Sequence, residues 1–447
     1  MARDRRTVGH LLRILGLAFG LAVVVGGVVG QGILRAPGIV AGAVPDPTLI
    51  LAFWALGGLL ILIDACSLVE LGASIPREGG PYSINARVYG RTAGIVTGWA
   101  DWINNVLVVA FLSVVFGEFC QRLGIGADWP IWTLSLGLIA ACWAINWTGT
   151  RISGASQTFL SAFKGVALIA LVIALFVISP DSAPRAAPPP PMTLSPMIAF
   201  GALLIAMSAV VNTYGGWTSS VYFSEEIVGP ERNIARATFG GILFVMALYL
   251  AVNAALLHVL SPAEMAASNL PAADAAARIL GTSGETLITI VSLVSIGAIA
   301  NLYMMFNSRI GFAMARDGVL PKVLARTSTS GTPRPALAIS ALMSAAAAAS
   351  GTYQQIIATT VPLTIAIVAS LDLAAIVMRH KAPDLPRPFK MPLFPVPAIL
   401  GMALNLTLLT AMLLADPMHS AVGIVAALVL GVGYAVVGKK HGDGRAD

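Results

Sequence analysis

Two glycine-rich stretches are the places in this sequence where chemistry can happen. The first, GGVVGQGILRAPG (26–38), packs Gly26, Gly27, Gly30 and Gly32 into seven residues and then adds Pro37. The second, NTYGGWTSS (212–220), sets Gly215 beside Gly216 with polar groups on both sides. Each glycine lowers helix propensity by about 1 kcal/mol relative to alanine, so a helix running through either stretch is expected to unwind. Unwinding bares N–H groups at the start of one half-helix and C=O groups at the end of the other. The N–H groups and the positive dipole end attract a carboxylate, whereas the C=O groups attract an ammonium. A small zwitterion satisfies both at once. Glycine clusters also let helices pack closely, and a single cluster reads either way. Two clusters at matching positions in two halves point instead to the central binding site of a transporter.

One further side chain stands out. Lys164 lies inside the apolar run TFLSAFKGVALIALV, far from the next charge, Asp181. A lysine at bilayer depth costs at least about 2.5–3.5 kcal/mol, and it sits too deep for its stem to reach the surface comfortably. It is expected to face the interior and donate to backbone carbonyls of an unwound helix, the first glycine-rich span. No metal or redox site is expected. Cys66, Cys120 and Cys142 are scattered through apolar segments, and His10, His258, His380, His419 and His441 are isolated. No cofactor is implied.

The elements that must hold these residues are membrane spans. The chain has 447 residues, is 57% hydrophobic and only 11% charged, with a mean hydropathy of +0.84. Soluble domains carry about 25% charged residues. A bilayer span takes roughly 20 apolar residues, and apolar runs separated by charged or Pro/Gly-rich breaks give about twelve. They fall near 12–42, 48–73, 92–121, 129–147, 152–178, 196–226, 235–260, 283–315, 335–351, 355–378, 392–414 and 418–437. The proline-rich stretch 179–195 is too stiff and polar to span, and divides five spans from seven. The expected organisation is a tail (1–11), a first repeat (12–178), this linker, a second repeat (196–379), two further spans (392–437) and a tail (438–447). The two glycine-rich stretches then fall in the first span of each repeat.

Charge sets the orientation. With the N-terminus in the cytosol, 21 of the 27 lysines and arginines fall on the cytosolic side and 3 on the other, while Arg35, Lys164 and Arg309 lie within spans. This positive-inside bias predicts an inner-membrane, multi-pass protein with both termini cytosolic. It also accounts for the net charge of +6 without nucleic-acid binding.

Several motifs resemble one family. Gly30-Gln31-Gly32-Ile33-Leu34 is similar to the Gly-x-Gly-Ile signature of the amino acid–polyamine–organocation superfamily. Tyr214-Gly215-Gly216-Trp217 with SEEIVGPERNIARA (224–237), SRIGFAMARDGVLP (308–321) and IPREGGPYSINARVYG (75–90) resemble stretches of its L-type amino acid transporters. The resemblance implies an all-helical LeuT-type bundle. Five spans are repeated in inverted orientation, two more are appended, and helices 1 and 6 are discontinuous. It further implies amino acid transport by alternating access. The carboxylate would meet N–H groups of Gln31 and Gly32, and the ammonium would meet carbonyls of Val28, Asn212, Thr213 and Gly215. Asn105 and Tyr303 would line the side-chain pocket, although Asn105 could equally bond a neighbouring helix and Tyr303 could be packing. Asn212 departs from the family, which carries there a bulky aromatic that closes over the substrate. Lys164 matches a lysine that replaces the stabilising cation of sodium-coupled relatives, which implies sodium-independent transport.

The expected function is therefore sodium-independent exchange of small or neutral amino acids. The alternative is a proton-coupled amino acid or amine/polyamine symporter; Thr218, where such a carrier would place a glutamate, favours exchange. An enzyme is not expected, since no His/Asp/Glu or Cys/His set faces across spans. Arg309 or Arg35 could join an inner gate with Glu225, Glu226 or Asp64, or could simply reach the cytosolic surface; Glu70 and Asp101 read either way. The animal L-type proteins pair with a glycoprotein through a cysteine between spans 3 and 4. That loop here, QRLGIGADW (121–129), has none, so no disulfide-linked ancillary subunit is expected.

Overall fold

The computed structural model describes residues 11–30, 32–178, 196–350, 353–415 and 417–442. The linker 179–195, Gln31, nearly all of the N-terminal tail and the last five residues lie outside them. Among the described residues the fold is helical, with an isolated parallel bridge between Leu15 and Ile227 as the β pairing. The first span is broken into α1 (Leu17–Val28) and α2 (Gly32–Ala43), which are bent by 45° at the glycine cluster. Then follow α3 (Pro47–Ser74), a short α4 (Pro81–Tyr89), α5 (Arg91–Arg122), α6 (Ile131–Thr148) and α7 (Thr150–Val177). The second half opens with α8 (Pro196–Thr213), which stops at Gly215–Gly216 and resumes as a 3-10 turn, Trp217–Phe223. After it come α9 (Pro230–Val259), the short α10 (Pro262–Ala267) and α11 (Pro271–Leu280), then α12 (Thr282–Arg316), α13 (Arg334–Ala349) and α14 (Tyr353–Lys381). The chain closes with α15 (Val396–Ala415) and α16 (Pro417–Gly442).

Eight of the described helices are long and apolar enough to span by themselves, and the bent α1–α2 pair makes a ninth. With α8, α13 and α16 the chain matches the twelve apolar runs of the sequence. The helices α4, α10 and α11 were not separately expected. They are short because proline starts each one and a polar or glycine residue ends it. α10 and α11 fold over α2, where a Cβ at Gly38 would lie 2.6 Å from the Met265 carbonyl. There the Arg278 guanidinium, 2.6 Å away, holds the Glu264 carboxyl down to about 2.

Equivalent spans of the two halves pair with each other. The most extensive helix contacts are between α5 and α12, the third span of each half, and between α3 and α9, the second of each. Apolar side chains also face outward, among them Phe159, Val166 and Val177 on α7, as a bilayer solvent requires.

Three of the sequence motifs converge at the end of the bundle rich in basic residues. The Leu15 N–H donates to the Glu226 carbonyl (2.9 Å) and the Val228 N–H to the Leu15 carbonyl (2.8 Å), so the chain before α1 is hooked to the chain after the 3-10 turn. Behind this hook Arg309 of α12 is 1% exposed. Its Nε and Nη2 donate to the two Glu226 oxygens (2.8 and 3.1 Å), with Glu78 at 3.9 Å and the Phe223 ring beneath it. Nearer the surface, Arg316 pairs with Glu225 and Arg77 with Asp317, both at 2.8 Å. Glu78 and Glu225 each accept the other's backbone N–H. Of the charges that could have formed a gate, Arg309, Glu225 and Glu226 are in it, whereas Arg35 is exposed and Asp64 lies elsewhere.

Removing one partner of a buried ion pair strands the other charge. Arg309→Met is expected to destabilise the protein by about 3–5 kcal/mol. Arg77→Ala, in an exposed pair, is expected to cost about 1 kcal/mol or less. Thermal unfolding in detergent measures both; an Arg309→Met protein that melts with the wild type would contradict this layer's role.

Candidate substrate site

The first break frees carbonyls, which are taken up by side chains from α7, α12 and α9. α1 ends at Val28, and the Val29 N–H still donates to Val25. Lys164, from α7 and 1% exposed, donates to the carbonyls of Gly26 (2.6 Å) and Val29 (2.7 Å). The Ser295 hydroxyl of α12 reaches the same Val29 carbonyl at 3.2 Å. The Tyr249 hydroxyl of α9 lies 2.9 Å from the Val28 carbonyl and 3.2 Å from that of Thr213, which places one hydroxyl between the two broken spans. Lys164 thus meets the carbonyls that an unwound first span was expected to offer. One side-chain nitrogen serves two freed peptide carbonyls at once.

The second break is tighter. Gly216 has φ +95°, a left-handed conformation that glycine adopts without a Cβ penalty. A Cβ there would lie 2.5 Å from the Gly27 carbonyl oxygen and 2.6 Å from its carbon. The two broken backbones therefore touch at Gly27 and Gly216, and only glycine permits it. The Gly215 N–H donates to the Asn212 carbonyl (3.0 Å). Tyr214 anchors the break to α3 through the Trp54 carbonyl (3.2 Å), and its ring packs with Trp54 and Tyr249.

Between the breaks lies a cavity of about 330 Å³, within the roughly 300–1,000 Å³ common for small-molecule sites. Val28, Gly32, Asn212, Thr213, Gly215 and Tyr303 all line it. The start of α2 aims its positive dipole end at this space. The Gly215 N–H serves the Asn212 carbonyl and the single Tyr249 hydroxyl proton serves Val28 or Thr213, so each of the three carbonyls keeps at least one lone pair for a ligand. Gln31 lies outside the described residues. Asn105 does not line the cavity. Its amide donates to the Asp101 carbonyl (2.7 Å) and carboxyl (2.8 Å), and Asp101 in turn accepts from Tyr222. Tyr222 stacks on Phe306, which packs against Tyr303, so Asn105 supports the cavity wall from behind.

Other lining residues were not read from the sequence as part of the site, and Asp64 was read only as a possible gate partner. Thr360 and Thr364 of α14 and Asn405 of α15 are polar residues in otherwise apolar helices, and Asp64 reaches the cavity from α3. Tyr249, which bonds both breaks, is a lone tyrosine in an apolar span and looked like packing. Trp217 and Phe111 are aromatic residues that line the same cavity as Asn212.

The sequence as a whole agrees with this geometry. The family model for amino acid permeases matches residues 15–436. The serine/threonine exchanger SteT of Bacillus subtilis is 29% identical over 94% of this chain and 95% of its own length. The large neutral amino acids transporter small subunit 2 of Oryctolagus cuniculus is 29% identical over 93% of this chain and 78% of its own. The Asc-type amino acid transporter 1 of Mus musculus is 28% identical over 93% and 79%. A helical bundle broken twice around one cavity, matched along almost its whole length, belongs to the amino acid permease family.

Proposed function

We propose that the protein is a sodium-independent exchanger of small or neutral amino acids, set in the cell inner membrane with its basic end and both termini in the cytosol. The observation that carries this reading is the contact of the two broken backbones at Gly27 and Gly216 beside one cavity. The substrate carboxylate meets N–H groups at the start of α2, at Gln31 and Gly32. Its ammonium meets the carbonyls of Val28, Asn212, Thr213 and Gly215. Asn212 widens the cavity where an aromatic would close it, and Trp217 and Phe111 supply the apolar cover. The names of the relatives, all amino acid carriers, support the substrate class.

Lys164 supports the absence of a sodium requirement. A fixed ammonium already occupies the carbonyls that a bound cation would otherwise neutralise. Alternating access follows from the basic end, where the Leu15 hook and the Arg309–Glu226 pair must open to release substrate inward. The protein is a carrier and not an enzyme. On this reading no disulfide-linked subunit is required, since the loop 121–129 has no cysteine and Cys120 is buried.

Two outcomes are expected with purified protein in liposomes. Labelled serine, alanine or leucine should enter several-fold faster when the vesicles are preloaded with an unlabelled amino acid, and a sodium gradient should add nothing. Uptake that needs sodium, or that no internal amino acid stimulates, would overturn the reading. Lys164→Met removes the donor that satisfies two carbonyls, each worth several kcal/mol in lipid. Exchange should fall at least about tenfold, the factor that 1.4 kcal/mol represents. Unchanged exchange would remove Lys164 from the mechanism.

A further inference from the structure

The boundary between the 3-10 turn and the helices facing it, α5 and α12, carries a second bond deeper than the Arg309–Glu226 pair. On one side α5 is fixed to α13. The Trp102 indole donates to the Ser340 hydroxyl (2.9 Å), and the Ser344 hydroxyl donates to the Val106 carbonyl (3.1 Å). On the other side the turn packs chiefly on α1 and α9. The Ser220 and Thr238 hydroxyls lie 2.8 Å apart there, and the Leu15 hook follows just past the turn. From α12, Arg309 and Arg316 cross the boundary to Glu226 and Glu225. From α5 the crossing is made by Asp101, whose Oδ1 accepts the Tyr222 hydroxyl at 2.8 Å.

This bond sits midway between site and closure. Trp217, at the start of the turn, lines the cavity, and Glu226, just past its end, belongs to the ion pair. Asp101 and Tyr222 are 2% and 5% exposed, so bulk water does not reach them in the closed form. The Tyr222 ring stacks on Phe306 with centroids 4.3 Å apart, and Phe306 packs at 5.2 Å against Tyr303 of the cavity wall. Asp101 is served unevenly. Its Oδ1 takes both the Tyr222 hydroxyl and the Asn105 amide, whereas its Oδ2 is buried with no partner among the described residues. An orphaned buried oxygen is costly, and in a native fold it calls for a reason. A group that must change partners supplies one. Water entering as the basic end opens would give Oδ2 its missing donor and offset the loss of Tyr222.

We propose that Asp101 is a latch. Through the Tyr222 hydroxyl it holds the resumed sixth span on α5 while the basic end is closed, and it lets go when the cavity opens to the cytosol. This rests on the transporter reading above and adds to it a bond that sets how the protein divides between its two states. Asp101 does not line the cavity; it is a positioning residue that acts through Tyr222. A bond made only in the closed form lowers the fraction open to the cytosol. Apparent affinity at that face falls with that fraction.

The test is exchange of alanine or serine by the full chain in sealed membrane vesicles of each orientation, so that either face is titrated alone. Tyr222→Phe keeps the ring on Phe306 and removes only the hydroxyl. The half-saturating concentration at the cytosolic face should fall about three- to tenfold, as for one hydrogen bond to a carboxyl partly replaced by water. The outer face should not tighten. A merely structural role would instead weaken both faces together. Asp101→Asn, which keeps an acceptor oxygen, should shift the cytosolic face the same way by less, and joining it to Tyr222→Phe should add nothing further. Weakening at both faces, no change at the cytosolic face, or additive shifts in the double variant would overturn the latch. Should Tyr222→Phe fail to assemble, Asp101→Asn titrated at both faces decides by the same outcomes. A wild-type protein that exchanges nothing counts against the transporter reading instead.

Discussion

A peptide group with no partner is intolerable in a bilayer, and this constraint organises the protein around its two broken spans. Breaking α1 after Val28 releases carbonyls of Gly26, Val28 and Val29 inside the bundle. Each finds a donor from elsewhere: Lys164 from α7, Ser295 from α12 and Tyr249 from α9. The second break leans on the first, because Gly216 sits directly against the Gly27 peptide. What remains unsatisfied faces the cavity. A ligand carrying both a carboxylate and an ammonium completes the set, so the same physics that permits the breaks also selects the guest.

The basic end supplies the opposing requirement, a closure that holds firmly yet can open. Its centre is a fully buried bidentate pair, Arg309 with Glu226, backed by the second acid, Glu78. Such pairs add geometry more than net stability, since desolvation offsets much of the attraction. Water entering between α1 and the 3-10 turn would lower that desolvation penalty and let the pair separate. The hook at Leu15 ties the first broken span to the chain after the second, so opening one moves both. Site and closure are thereby built on the same two chain segments.

Much of this was legible in the sequence because membranes make local rules decisive. Clustered glycines marked both breaks, a single lysine in an apolar run announced its buried carbonyl partners, and apolar runs marked the spans. Contacts between distant segments were not legible. Nothing at Tyr249 distinguishes a hydroxyl that joins two breaks from a packing tyrosine. Asn105 looked like a pocket residue but turns to Asp101, one helical turn back on its own helix. Asn405 lies 33 positions beyond Asp372 and 341 beyond Asp64, and the three meet only once α3, α14 and α15 pack. The short helices α4, α10 and α11 escaped notice because polar, proline-led segments between spans read as loops.

The central claim is that two broken helices jointly hold the poles of one zwitterion. A structure of the protein with alanine or serine bound tests it most directly. The claim predicts the ligand carboxylate against N–H groups where α2 begins and the ammonium against carbonyls flanking Val28 and Thr213. An amino acid seated in the bundle but touching neither break would contradict it.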